Sequence, residues 1–325
     1  MAAHYGAPAV ESLRGAGLAV ESFVVPPGEG SKTLHEAGEL YDALLRFGLD
    51  RGSVVVALGG GVVTDLAGFV AATYMRGVPW IAVSTSLLGQ VDASVGGKTA
   101  VDHPECKNLI GAFHQPSAVF ADVGMLATLP DEEFRTGLAE VVKHAMIRDA
   151  DLFDLLERQA DMILRCNPAV LERVVARNVR IKAEVVMADE RESGLRRILN
   201  YGHTIGHALE SLALEAAAGA PAMTHGRAVA LGMIAEARLA ERRGLVAREV
   251  VERQTRLLAR FGLPVRLAAA PGFDRCLTLM RHDKKSEGGR HRFVVPEAIG
   301  SVREIDDATD EEICSVVASL AEELK

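Results

Sequence analysis

The sequence has 325 residues, of which 49% are hydrophobic and 25% are charged. This composition is typical of a folded globular protein and not of a disordered chain. The formal net charge of −8 argues against a general nucleic-acid binder, although local clusters of Lys and Arg can still bind a small anion.

The length of the chain favours two domains over one compact core. No apolar run approaches the about 20 residues that a membrane-spanning helix needs, so we expect no membrane partner. Residues 1–6 lack the basic and apolar segments of a secretory signal. The four scattered cysteines predict reduced thiols in a cytoplasmic protein; they are Cys106, Cys166, Cys276 and Cys314.

Before residue 130, short β-branched runs alternate with helical patterns. Residues 53–58 predict a buried strand, which is followed by glycines and by a helix to about Tyr74. Residues 80–83 and 119–122 predict further strands. Because strands alternate with helices, the region predicts parallel βαβ units, as in a Rossmann-like α/β domain over residues 1–129.

From residue 130 onward the pattern is almost entirely helical. The predicted helices cover about 131–157, 168–189, 198–214, 225–243 and 247–261. A small extended insertion is predicted at 292–296 and 299–300, and a loop at 216–222. The sequence therefore predicts an all-α domain over 130–325, with the functional site in a cleft between the two domains.

Two glycine-rich segments of the first domain are typical of phosphate and nucleotide contacts. Residues 59–65 (GGGVVTD) follow a strand and open a helix, where backbone N–H groups can approach a phosphate. A tight strand–helix turn is the alternative interpretation. Residues 28–33 (GEGSKT) offer a carboxylate for a ribose and an ammonium for a phosphate, or form only a turn before a helix.

Cations are abundant at positions where loops are expected. Residues 92–100 are polar and glycine-rich and predict a loop that emerges from the sheet. Solvated surface charge is the alternative interpretation for each Lys or Arg taken singly. The candidate anion-binding residues are Arg76, Lys98, Lys107, Lys143, Lys182 and Arg196, with Lys284 and Lys285 on a later loop.

Two histidines, His203 and His207, lie four residues apart in a predicted helix and therefore share one face. A pair at this spacing is a common half of a divalent-metal site. Glu140 and His225 are the candidates for the further ligands. The alternative is that only one of the pair meets a metal, while the other binds something else or joins a buried polar network.

Motifs along the chain resemble those of the 3-dehydroquinate synthase family. Each motif is modest alone, but their joint occurrence in this order is highly specific and spans nearly the whole chain. They are GGGVVTD (59–65), YMRG (74–77), DASVGGKT (92–99), KNLIG (107–111), GLAEVVK (137–143), ADERE (188–192), LNYGHTIGH (199–207), HG (225–226) and DKK (283–285).

This resemblance implies a dehydroquinate synthase-like fold and a reaction that uses bound NAD and a divalent metal, Zn²⁺ or Co²⁺. The substrate would be a sugar phosphate, 3-deoxy-D-arabino-heptulosonate 7-phosphate, which loses phosphate and closes to 3-dehydroquinate in the shikimate pathway. NAD would be regenerated in each turnover, so the net reaction is that of a lyase. The alternatives are another sugar phosphate cyclase, a metal-dependent polyol or glycerol-phosphate dehydrogenase, and an inactive truncated chain.

The resemblance also implies roles for individual residues. The metal ligands would be Glu140, His203 and His225, with His207 over the substrate as a hydrogen-bonding or proton-shuttling group and His144 not a ligand. Arg76 would reach the phosphate from a partner subunit, which implies a homodimer. The other implied catalytic or substrate-binding residues are Lys98, Lys107, Asn108, Lys143, Lys182, Glu192, Arg196, Asn200 and Lys284. The implied NAD-binding residues are Glu29, Lys32, Gly59, Gly60, Gly61, Asp65, Thr85, Ser86, Leu88, Asp92 and Lys107.

The chain departs from the family pattern at its beginning and at two internal positions. Family members carry a longer N-terminal segment with a first strand and an NAD-binding loop, so we expect an open sheet edge and a weaker cofactor site here. Ser84 stands where the family usually has Pro, and Cys106 stands where Gly usually precedes the Lys-Asn pair. Cys restricts a backbone that Gly leaves free, so the second change affects the predicted phosphate loop.

Overall fold

The computed structural model describes residues 1–104, 106–215, 223–282 and 291–321. They form two compact units, Met1–Pro130 and Asp131–Lys325. Among these residues, no helix combines the length and the apolar character that crossing a bilayer requires. The two units have different architectures and are described in turn.

The first unit is built on a three-stranded parallel sheet. Its strand order is β1-β2-β5, and Gly59 at the end of β1 pairs with Ser84 at the end of β2. Helices α2 and α3 contribute Ala37, Leu66 and Phe69 to a core that also holds Trp80. The elements are α1 (Ala7–Gly15), α2 (Leu34–Phe47), β1 (Val55–Gly59), α3 (Gly61–Thr73), β2 (Trp80–Ser84), β3 (Lys98–His103), β4 (Cys106–Phe113) and β5 (Ala118–Ala121).

The predicted parallel βαβ arrangement is confirmed, but one loop prediction is wrong. Residues 98–100 do not continue the polar loop; they begin strand β3, which pairs antiparallel with β4. The glycine-rich part ends with Gly97, and Val101 is then fully buried in the core. A Cβ on Gly111 would lie 2.3 Å from the Thr99 carbonyl oxygen, so the glycine lets the two strands approach closely. The lysine–asparagine motif at 107–108 therefore lies on a hairpin strand.

In the part of the second unit that the structure describes, the regular elements are helices and one hairpin. Strands β6 and β7 pair antiparallel where the small extended insertion is predicted. The fold class predicted from the sequence, a Rossmann-like α/β domain and an all-α domain, is confirmed. The elements are α4 (Asp131–Arg148), α5 (Ala150–Leu164), α6 (Pro168–Ala188), α7 (His203–Glu215), α8 (His225–Arg242), α9 (Arg248–Arg260), α10 (Phe273–His282), β6 (Phe293–Ala298), β7 (Ser301–Ile305) and α11 (Asp310–Ser319).

Helix α8 is the central element of this unit. It contacts α4, α7, α9, α11 and β6, and nearly every residue from Ala228 to Ala240 is buried. A helix that is buried along most of this length belongs inside a core. Glycines let α7 and α8 pack backbone against backbone, since a Cβ on Gly232 would lie 1.9 Å from the Gly202 carbonyl oxygen. This contact sets the position of the first turn of α7.

Two helix boundaries differ from the prediction. The predicted helix over 131–157 is two helices, because Asp149 leaves the helical conformation and its side chain caps Leu152 N at 2.9 Å. Arg177 of α6 holds the same carboxylate through two hydrogen bonds. The predicted helix over 198–214 begins only at His203, after a 3-10 helix over Leu195–Asn200 and a left-handed Gly202 (φ +78°). The predicted loop at 216–222 lies outside the described residues.

Candidate metal and cofactor sites

Three helices of the second unit bring Glu140, His203 and His225 together, and we call these three residues the ligand cluster. Glu140 Oε1 lies 3.6 Å from His203 Nε2 and 3.4 Å from His225 Nε2. Each residue offers one ligand atom, and these atoms all lie within 4.8 Å of one another. A carboxylate and two imidazoles at this separation match the donor set that binds Zn²⁺ at catalytic sites.

The two imidazoles of the ligand cluster are oriented by oxygens on their far sides. His203 Nδ1 lies 3.1 Å from the Tyr201 carbonyl oxygen, and His225 Nδ1 lies 3.5 Å from Glu210 Oε2. A carbonyl or carboxylate partner at Nδ1 favours the tautomer in which Nε2 carries the lone pair. In the neutral rings both Nε2 lone pairs then face Glu140.

The ligand cluster favours positive charge. Burial by itself lowers the pKa of His225, but the hydrogen bonds of its ring with Glu140 and Glu210 outweigh that effect and raise the pKa to about 9. Glu140 is fully buried and also forms an ion pair with Lys143. A buried carboxylate needs cationic partners, and a metal ion would be one.

His207 and His144 lie close to this cluster in sequence but have different surroundings. The His207 ring centroid is 5.3 Å from that of His203 and 6.1 Å from that of His225, so three imidazoles meet there. His144 lies inside α4, where its Nδ1 is 3.1 Å from Asn178 Oδ1 of α6.

Several cations of the second unit are buried, which is unusual for Lys and Arg. Lys143 and Arg196 are each 1% exposed, and Lys182 is 7% exposed. They lie on α4, on α6 and on the 3-10 helix at 195–200, and these three elements contact one another. Solvated surface charge does not describe these three residues, and buried cations of this kind are suited to hold an anion.

A tight loop places Glu192 and Arg196. The Asp189 carboxylate accepts hydrogen bonds from the backbone N–H groups of Ser193, Gly194 and Arg196 at 2.7–3.0 Å. These hydrogen bonds hold the pKa of Asp189 well below its usual range. Within the loop Glu192 adopts a left-handed φ of +61°, and its Oε1 accepts a hydrogen bond from Asn200 Nδ2 at 2.8 Å.

In the first unit, residues 59–61 connect β1 to α3, and we call them the glycine turn. Thr85 N donates to the Gly59 carbonyl oxygen at 2.9 Å, so the ends of β1 and β2 adjoin. A Cβ on Gly60 would lie 3.2 Å from Ser86 Oγ. The turn therefore leaves backbone N–H groups at the start of a 13-residue helix, a site that suits a phosphate.

A buried lysine links the predicted nucleotide-binding residues of this unit. Lys32 Nζ lies 3.1 Å from Glu29 Oε1, 3.0 Å from Asp65 Oδ2 and 2.5 Å from Asn108 Oδ1. Burial lowers the pKa of Lys32, but Asp65, Glu29 and Asp102 outweigh it, so the pKa is raised. Lys32 is thus charged and joins the segment before α2, helix α3 and the β3–β4 hairpin.

The remaining predicted site residues of the first unit differ in exposure. Thr85 and Ser86 are buried, and Leu88 and Asp92 are half-buried, all just after β2. Lys98 and Lys107 are exposed on the hairpin. Arg76 is exposed in a turn with a left-handed φ of +68°. Lys284 lies outside the described residues.

Three residues that contact or position the site residues were not predicted from the sequence. Glu210 contacts His225, Asp189 holds the loop before Arg196, and Glu236 accepts a hydrogen bond from Gly202 N. Glu210 follows His207 by three residues and therefore shares its helix face, a signal that was available in the sequence. No short-range pattern connects Glu236 with Gly202, since 34 residues separate them.

Comparison with known families covers most of the chain. Residues 22–136 match the family described as 3-dehydroquinate synthase N-terminal. Residues 137–286 match the family described as 3-dehydroquinate synthase C-terminal.

Curated relatives carry the same description. The chain is 49% identical over 314 residues to a 3-dehydroquinate synthase of Desulforamulus reducens, covering 97% of this chain and 86% of that protein. It is 50% identical over 310 residues to a 3-dehydroquinate synthase of Symbiobacterium thermophilum, covering 95% and 85%.

Solved structures include similar folds with related and with different activities. A 2-epi-5-epi-valiolone synthase from Streptomyces hygroscopicus with NAD⁺ and Zn²⁺ bound has a TM-score of 0.91 at 32% identity, covering 98% of this chain and 88% of that one. A 2-deoxy-scyllo-inosose synthase complexed with carbaglucose-6-phosphate, NAD⁺ and Co²⁺ has a TM-score of 0.83 at 27% identity, covering 96% and 86%. A glycerol dehydrogenase from Schizosaccharomyces pombe, at 17% identity and a TM-score of 0.66 over 96% and 78%, shares the fold alone.

Proposed function

Because the chain belongs to the 3-dehydroquinate synthase family, we propose that it converts 3-deoxy-D-arabino-heptulosonate 7-phosphate to 3-dehydroquinate and phosphate. This is a carbon–oxygen lyase reaction of the shikimate pathway. The observation that carries the proposal is the ligand cluster, a buried carboxylate facing two oriented imidazoles, in a chain 44–51% identical to eight curated 3-dehydroquinate synthases.

Glu140, His203 and His225 hold a divalent metal, Zn²⁺ or Co²⁺. The fully buried carboxylate of Glu140 supports this assignment, because it needs cationic partners and faces the Nε2 atoms of both histidines. Related cyclases have been solved with Zn²⁺ and with Co²⁺. When bound, such an ion binds substrate oxygens and stabilises negative charge that develops on them.

The other polar residues bind and orient the substrate. His207 holds or moves a proton at its ring nitrogen, next to the two imidazole ligands. Glu192 holds Asn200 through the hydrogen bond between their side chains. The residues assigned to the phosphate and carboxylate of the substrate are Arg76, Lys98, Lys107, Asn108, Lys143, Lys182, Arg196, Asn200 and Lys284.

NAD binds to the first unit. The glycine turn supplies backbone N–H groups for the pyrophosphate, and Asp92 lies near the nicotinamide. Lys32 keeps Glu29, Asp65 and Asn108 in fixed positions. The full set assigned to NAD is Glu29, Lys32, Gly59, Gly60, Gly61, Asp65, Thr85, Ser86, Leu88, Asp92 and Lys107.

The enzyme is a homodimer in which Arg76 reaches the phosphate of the partner's substrate. The exposed side chain of Arg76 supports this role, because it is accessible to a second protomer. The four free cysteines support a cytoplasmic location.

The function is tested by phosphate release from the heptulosonate phosphate in the presence of NAD and Zn²⁺ or Co²⁺. We expect release that requires both additions, produces 3-dehydroquinate and leaves no net NADH. Glu140→Ala should abolish it, while Glu172→Ala, a matched change on the exposed face of α6, should not.

Three results would contradict the proposal. Steady NADH accumulation without phosphate would indicate a dehydrogenase. Turnover of a different sugar phosphate, with the heptulosonate phosphate untouched, would indicate another cyclase. A folded chain that binds NAD and metal but releases no phosphate from any sugar phosphate would be inactive.

A further inference from the structure

The peptide group that joins Tyr201 to Gly202 lies between a buried carboxylate and a ligand of the cluster. Its carbonyl oxygen, on Tyr201, is 3.1 Å from His203 Nδ1. Its N–H, on Gly202, donates to Glu236 Oε2 at 2.6 Å. One planar amide therefore connects Glu236 to the far side of the His203 ring.

Glu236 is an unusual residue for its position. It lies in the middle of α8 among apolar neighbours and is fully buried. Removing a carboxylate from water is unfavourable unless charged or hydrogen-bonding groups compensate for it. The first turn of α7 supplies such compensation, because the start of a helix carries partial positive charge and orphan N–H groups.

The backbone on both sides of this amide is rigid. Gly202 has a left-handed φ of +78°, and a Cβ there would lie 2.5 Å from Met233 Cγ and 2.8 Å from the Val229 carbonyl oxygen. The Tyr201 side chain is fully buried, and its hydroxyl donates to Gln254 Oε1 at 2.6 Å. The amide is thus held between α7, α8 and α9.

We propose that Glu236 is a positioning residue for the metal site and acts on His203 through the Tyr201–Gly202 peptide. The carboxylate polarises the amide, the amide carbonyl then accepts a stronger hydrogen bond from His203 Nδ1–H, and Nε2 is left as the basic atom that faces Glu140. Hydrogen bonds in a chain strengthen one another in this way inside a protein. The arrangement resembles the carboxylate–histidine pairs that support metal ligands, with one peptide inserted between the two groups.

The inference rests on the proposed metal site, and its first test is Zn²⁺ affinity measured by competition with a chromophoric chelator. Loss of an outer partner of a ligating histidine weakens metal binding by about tenfold to a hundredfold. We expect a loss in that range for Glu236→Leu and a smaller loss for Glu236→Gln, which keeps a neutral acceptor.

Tyr201→Phe is the matched control, because it removes a buried hydrogen bond from the same segment and leaves the peptide intact. It should lower stability and keep the Zn²⁺ affinity of the wild type. An unchanged affinity in both Glu236 variants, or an equal loss in Tyr201→Phe, would overturn the proposal.

A spectroscopic measurement on metal-free protein separates this inference from the metal assignment. In ¹⁵N-histidine NMR spectra, His203 should be protonated at Nδ1, and Glu236→Gln should shift that N–H signal towards a weaker hydrogen bond. His225 is the internal control, because its Nδ1 faces Glu210 instead. Equal shifts for both histidines, or a His203 protonated at Nε2, would contradict the inference. If wild-type protein shows His203 protonated at Nδ1 but binds no metal, the metal assignment is wrong, whereas the link between Glu236 and His203 still holds.

Discussion

The ligand cluster of the second unit and the glycine turn of the first unit prepare their sites by opposite means. In the cluster, side chains from three helices supply the chemistry, and other oxygens orient each imidazole. In the turn, the backbone supplies the N–H groups, and the absence of side chains supplies the space. Metal affinity at the cluster should therefore depend on how the surrounding helices pack. NAD affinity at the turn should depend on whether a side chain is added there.

The largest expected effect comes from the packing behind the cluster. In Gly232→Ala, a Cβ 1.9 Å from the Gly202 carbonyl oxygen forces α7 and α8 apart. We expect the free energy of unfolding in urea to fall by about 3 kcal/mol, and Zn²⁺ affinity to fall with it.

Gly38→Ala is the matched control, because a Cβ at this helical position meets nothing within 4 Å. It should be stabilising by about 0.5–1 kcal/mol. A Gly232→Ala protein as stable as the wild type would contradict the backbone-to-backbone packing of α7 and α8.

An intermediate effect is expected at the glycine turn. Gly60→Ala places a methyl group 3.2 Å from Ser86 Oγ, which can shift, so the fold should tolerate it. Gly60 and Ser86 both belong to the set assigned to NAD, so we expect the added methyl group to lower NAD affinity by about tenfold, or 1.4 kcal/mol.

Titration calorimetry measures the NAD affinity and the Zn²⁺ affinity of the Gly60→Ala variant. Zn²⁺ affinity should be unchanged, and Gly38→Ala should bind NAD as the wild type does. Full NAD affinity in Gly60→Ala would show that the turn is only a tight connection between β1 and α3.

The difference between the two regions also explains how far the sequence could predict them. The periodic runs at 168–189, 225–243 and 247–261 are dominated by local amphipathic packing, and they match α6, α8 and α9 within one residue. The glycine turn is contiguous in sequence, so its motif is visible without the fold. The ligands Glu140, His203 and His225 stand out because their motifs resemble those of a known family.

Features that depend on distant partners were not predictable. Strand β3 has no strand pattern of its own that separates it from the glycine-rich residues before Lys98, because the strand is stabilised by its pairing with β4. The Asp149 carboxylate that caps the helix after the break is also held by Arg177, which lies 28 residues away. Glu236 carries no local signal, since only the α7–α8 crossing brings it to Gly202.

The smallest expected effect concerns the loop before Arg196 and depends on pH. Backbone hydrogen bonds depress the pKa of Asp189 in the folded state, so the unfolded chain binds its proton more readily. Its contribution is fully present above the unfolded pKa of about 3.9 and is lost as pH falls below that value towards the depressed folded pKa.

Asp189→Asn should therefore be less stable than the wild type in urea unfolding at pH 7, and this difference should shrink below about pH 4. If the stability difference between Asp189→Asn and the wild type stays constant from neutral to strongly acidic pH, the ionised Asp189 carboxylate does not stabilise the loop.

The most direct test of the metal centre is anomalous X-ray diffraction at the zinc edge from crystals grown with Zn²⁺. We expect one strong anomalous peak bound by Glu140 Oε1, His203 Nε2 and His225 Nε2, at about 2.0–2.2 Å from each atom. A peak bound through other residues, or no peak at this cluster in crystals that hold zinc elsewhere, would contradict it.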